Sequence, residues 1–77
     1  MKKLYITTHC PFCEKMKELI SFSRDEVKII NLALDPEREK YIAYLLKNKI
    51  PVVPVLELEG GFIVGYDEDK VRKYLNF

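Results

Sequence analysis

Tyr5-Ile6-Thr7-Thr8-His9-Cys10-Pro11-Phe12-Cys13 leads from a short apolar run straight into a Cys-x-x-Cys pair. Leu4-Tyr5-Ile6 is rich in strand-forming side chains and predicts a strand over residues 3–8, buried on both faces. Pro11 suits the first position of a helix, where its missing N–H costs nothing. Met16, Leu19, Ile20 and Ser23 then recur at helical spacing, with Phe12 above them, and the helix should end near residues 21–23. At such a helix start Cys10 would face unpaired N–H groups and the positive end of the helix dipole, which favour thiolate over thiol. Cys13 lies one turn deeper and less accessible, while Phe12 offers an exposed apolar contact beside the thiol. The implied chemistry is thiol–disulfide exchange: Cys10 attacks a substrate disulfide, and Cys13 resolves the mixed disulfide.

Further along, Val27, Ile29, Ile30 and Leu32 predict a second strand, parallel to the first across the helix. Asp35-Pro36-Glu37 reads as a capped helix start, followed by an apolar stripe of Tyr41, Ile42, Leu45 and Leu46. Lys47 and Lys49 suit the end of that helix. A third strand is expected over Val52 to Leu58, with Glu57 and Glu59 on a wet face, then a Gly60-Gly61 hairpin turn and a fourth strand from Phe62 to Val64. Asp67 would cap a last helix, with Val71, Tyr74 and Leu75 packed inward. The order β-α-β-α-β-β-α describes an α/β fold, a four-stranded mixed sheet with helices on both faces, and residues 1–77 read as one domain.

Composition narrows the function classes. A chain of 77 residues excludes a multidomain enzyme, and 13 Lys+Arg against 12 Asp+Glu argues against a nucleic-acid binder. Small folds often need a staple, but the loop closed by Cys10 and Cys13 is too short to serve as one. No signal-peptide pattern and no run long enough to span a bilayer occurs, so a cytoplasmic protein without membrane contact is expected. A metal reading fares poorly, because zinc wants four ligands and only Cys10, Cys13 and His9 cluster. An iron–sulfur cluster or metal held by Cys10 across a dimer is the form of that reading that survives. A non-catalytic interaction domain is a further alternative.

On these residues the chain resembles the glutaredoxins. The stretch from Tyr5 to Cys13 is similar to their strand, loop and Cys-Pro-aromatic-Cys site, Val53-Pro54 to their Val-Pro pair, and Ile63-Val64-Gly65-Tyr66-Asp67 to their Gly-Gly-x-Asp segment. The resemblance implies the thioredoxin fold and a monomeric oxidoreductase that reduces protein disulfides or glutathione mixed disulfides. No tightly bound cofactor is implied, and glutathione would be the co-substrate. It also implies a cis Val53-Pro54 bond that turns the Val53 backbone toward an incoming peptide; Ile50-Pro51 is the other candidate, and spacing to Gly65 and Asp67 favours Pro54. His9, Pro11, Phe12, Val53, Pro54, Gly65, Tyr66 and Asp67 are the expected substrate or glutathione contacts around Cys10 and Cys13. Gly65 would let backbone approach closely, and Asp67 could meet the ligand's ammonium group.

The chain also departs from the pattern. Thr7 stands where a Lys or Arg is usual, Val52 where a Thr precedes Val-Pro, and Val64 replaces the first Gly. The basic residue usual before the Val-Pro segment is displaced, with Lys47 and Lys49 nearest. These features are similar to the glutaredoxin-like redoxins that donate electrons to ribonucleotide reductase and are reset by thioredoxin reductase. Glutathione and thioredoxin reductase are therefore the two expected reductants.

Overall fold

β1 (Lys2–Ile6) is an inner strand of a four-stranded sheet, in a computed structural model that describes residues 1–77. It is followed by α1 (Pro11–Ser21), β2 (Val27–Asn31), α2 (Arg38–Lys47), β3 (Val55–Leu58), β4 (Gly61–Val64) and α3 (Glu68–Tyr74). The sheet order is β2-β1-β3-β4, with β1 parallel to β2 and the other two pairs antiparallel. This is the thioredoxin-fold arrangement that the resemblance implies.

Strand alternation divides the interior into two layers. Leu4 and Ile6 of β1 join Leu56, Ile63 and the inward faces of α1 and α3. Tyr5, between them, joins Ile30, Leu32, Val55, Leu45 and Ile50 on the α2 side. β1 is thus buried on both faces, as its apolar run predicts. The helices are anchored unequally: α1 buries Cys13, Met16, Leu19 and Ile20, whereas α2 buries only Leu45. At about 1.5–3 kcal/mol for each fully buried large apolar side chain, α1 is held much more firmly.

Several element ends differ from expectation. β1 stops at Ile6, and Thr7 and Thr8 leave the sheet as the chain turns toward Cys10. β3 begins at Val55 rather than Val52 because residues 51–53 run off the sheet ahead of Pro54. Asp35 does not cap α2: its carboxylate accepts the Glu37 N–H at 2.8 Å and closes a turn, so the helix starts at Arg38. The hairpin turn is Glu59-Gly60, since Leu58 already pairs with Gly61, and neither glycine adopts a left-handed conformation. Ser23 lies beyond the end of α1. Ile29 faces outward on the edge strand and remains exposed.

The apolar faces also need correction. Val71 and Leu75, four residues apart, are buried together, whereas Tyr74 is turned away by one helical step and is 55% exposed. Ile42 and Leu46 of α2 are 37% and 55% exposed and do not belong to the core. Glu57 lies half-buried on its expected face, where the hydroxyls of Tyr5 and Tyr44 both donate to it. No helix is long and apolar enough to cross a membrane.

Candidate active site

The sheet ends where β1 and β2 finish and β3 begins, and there the chain assembles its chemistry. Cys10 follows β1 as the N-cap of α1, with extended backbone, and Pro11 starts the helix. The Cys10 carbonyl accepts the Glu14 N–H at 3.1 Å. Its sulfur accepts the Cys13 N–H at 3.2 Å, so one orphan donor of the helix start points at the sulfur itself. The two sulfurs are joined as a disulfide, with Cα atoms 5.1 Å apart. Cys13 is fully buried and Cys10 only partly, so an incoming group meets Cys10 first.

His9, just before Cys10, is exposed and takes a left-handed conformation with φ 56°, sharpening the turn from strand to helix. Phe12 projects into solvent rather than into the core, 57% exposed. Its ring stacks on Tyr66 with centroids 6.4 Å apart, and the Lys15 ammonium lies 5.6 Å from its centroid. Burial raises the Tyr66 hydroxyl above the ordinary tyrosine range, aided by the Glu68 carboxylate. The Arg72 guanidinium, bonded to that carboxylate at 2.8 Å, holds Glu68 below the ordinary glutamate range.

The remaining expected contacts lie on two neighbouring segments. The Val53-Pro54 bond is cis, and the Ile50-Pro51 bond is not. The N–H and C=O of Val53 have no hydrogen-bond partner within the chain, whereas the Pro54 carbonyl accepts the Gly65 N–H at 2.8 Å. That bond ties the β3 entrance to the segment after β4. Gly65 has φ 82°, a left-handed conformation that favours glycine, and no other part of the chain crowds it. Asp67 caps α3, accepting the Lys70 N–H at 3.1 Å. Cys10, Val53 and Tyr66 all pack against the α1/α3 core layer.

On the α2 side of the same sheet end lies a groove of about 260 Å³, lined among others by Thr7, Ile42, Leu46, Val52 and Val53. Sequence reasoning missed this groove because it assigned Ile42 and Leu46 to the core. The surplus of apolar side chains on α2 over those one buried stripe needs was the available signal. No group of three or more His, Cys, Asp or Glu side chains is placed to hold a metal ion.

A family model described as glutaredoxin matches residues 3–63. A Clostridium pasteurianum protein described as an uncharacterized glutaredoxin-like 8.6 kDa protein in the rubredoxin operon is 31% identical over 75 residues, 97% of each chain. Among solved structures, methanoredoxin of Methanosarcina acetivorans superposes with a TM-score of 0.87 at 24% identity, over 99% of this chain and 84% of that one. A glutaredoxin of Archaeoglobus fulgidus gives 0.82 at 23% identity, over 94% of this chain and 82% of that one.

Proposed function

The chain belongs to the glutaredoxin family, and from that premise we propose that it reduces protein disulfides or glutathione mixed disulfides as a monomeric single-domain oxidoreductase. The observation that carries the reading is the placement of Cys10 at the helix N-cap, with the Cys13 N–H aimed at its sulfur and Cys13 buried behind it. In the reduced protein that N–H and the helix dipole stabilise a Cys10 thiolate. The thiolate attacks one sulfur of the substrate disulfide. A Cys10–substrate bond forms, the substrate bond breaks, and the first substrate sulfur leaves and takes a proton. Cys13 gives up its proton and attacks the Cys10 sulfur, releasing the second substrate thiol. Two electrons have then passed to the substrate, and the protein holds the Cys10–Cys13 disulfide seen here. Two molecules of glutathione, or a reductase, return it to the dithiol. Val53 offers its free N–H and C=O to the substrate backbone, and Phe12, Tyr66, Gly65 and Asp67 flank the other side.

Serine variants test the mechanism. Cys13→Ser should still reduce glutathione mixed disulfides while losing protein disulfide reduction; Cys10→Ser should lose both, and full activity in Cys10→Ser would overturn the nucleophile. A second reading, an electron donor to ribonucleotide reductase reset by thioredoxin reductase, is favoured by Thr7, which puts no cation where the resemblance puts one. Supplying the oxidised protein with glutathione, or with thioredoxin reductase and its cofactor, distinguishes the readings by which one regenerates the dithiol.

A further inference from the structure

We propose that the groove beside Thr7 and Val53 is a side-chain pocket that selects peptide disulfides carrying an apolar residue next to the reactive cysteine. This rests on the oxidoreductase reading above and names its substrate class. The groove is formed by Thr7, Leu32, Ile42, Leu46, Val52 and Val53 with their neighbours, and no charged side chain lines it. Its volume of about 260 Å³ is ample for one leucine or phenylalanine side chain. A carboxylate placed there, such as the glycine end of glutathione, would lose hydration and meet no cation.

The rim says how an occupant would be held. Residues 51–53 form no backbone hydrogen bonds within the chain, so their free groups offer an extended peptide a short edge on which to pair. Side chains of an extended peptide alternate between faces. Cys10 packs on the α1 side of the sheet, and the groove opens on the α2 side. A substrate cysteine turned toward Cys10 therefore turns its immediate neighbour toward the groove. The exposed apolar surface of Ile42 and Leu46, which the core does not use, is what that neighbour would cover.

The test uses reduced protein in single turnover, with formation of the Cys10–Cys13 disulfide as the readout. Three disulfides are compared: the homodimer of Ala-Leu-Cys-Leu-Ala, the homodimer of Ala-Asn-Cys-Asn-Ala, and hydroxyethyl disulfide, which has no side chain to offer. Burial of one leucine side chain predicts a second-order rate about tenfold higher for the leucine peptide than for the asparagine peptide. In the Ile42→Gln/Leu46→Gln variant the ratio of the two peptide rates should fall to near one. Equal rates for both peptides with the unaltered protein, while hydroxyethyl disulfide is reduced, overturn the pocket alone. A ratio that persists in the variant overturns its placement at Ile42 and Leu46. If none of the three disulfides oxidises the cysteine pair, the oxidoreductase reading fails and takes this inference with it.

Discussion

Tyr5 carries a hydroxyl into an otherwise apolar layer, and Glu57, fifty-two positions away, accepts it at 2.6 Å. Burial, then that hydrogen bond, push the Tyr5 hydroxyl well above the ordinary tyrosine range. A raised pKa means that the protonated form is favoured in the folded protein. The stability this group supplies is whole below the ordinary tyrosine value of about 10 and is lost as pH rises through the folded value. Replacing Tyr5 with Phe should cost about 1.5 kcal/mol in denaturant unfolding, and Tyr44→Phe, whose hydroxyl serves the same carboxylate from an exposed position, should cost less. Equal losses would show that burial does not distinguish the two bonds. At this scale the cysteine pair was legible in the letters, because three positions and a helix start determine its geometry. The Tyr5–Glu57 pair was not, because it exists only once β1 and β3 lie side by side.

Among the elements, the end of α2 decides how the β3 entrance is presented. Ile50 N–H bonds to Leu45 C=O and Lys49 N–H to Leu46 C=O, both at 2.9 Å, with Lys49 left-handed at φ 62°. This is a Schellman closure with a lysine where glycine is usual. It folds Ile50 back against Leu45 in the core and sends residues 51–53 along the surface toward Cys10. Lys49→Gly should raise stability by about 1 kcal/mol, because it relieves a left-handed side-chain position without touching a contact. The check is a higher midpoint in thermal unfolding, and an unchanged midpoint would mean that Lys49 is not strained there. The order of elements was readable because hydrophobic periodicity reports which stretches are strand and which helix. The start of α2 was not, since an aspartate that caps a helix and one that closes a turn, as Asp35 does, use the same kind of hydrogen bond. The groove was hidden for a related reason: apolar residues on one helix face look alike whether another part of the chain covers them or not.

Over the whole molecule, both ends of the chain are fastened at Asp25. Its carboxylate accepts the Asn76 backbone N–H at 2.6 Å and lies 3.4 Å from the Lys2 ammonium, while the neighbouring Arg24 N–H donates to the Asn76 carbonyl at 2.6 Å. The Asn76 N–H above all holds the Asp25 carboxyl below the ordinary aspartate range; burial opposes it, and Lys2 and the Asn76 side chain add to the lowering. A depressed pKa contributes stability that is present above the unfolded value of about 3.9 and lost as pH falls through the folded one. Asp25→Asn should therefore melt lower than the unaltered protein at pH 7, and the gap should close as pH is brought down toward 3; a gap independent of pH would remove the charge from the account. Because α1 returns antiparallel to β1, this fastening sits at the opposite pole from Cys10. A dye, a fused domain or the linker of an electrode film could be attached to either end and leave the disulfide facing outward. The face that carries the cysteine pair and the point of attachment are therefore separable by design.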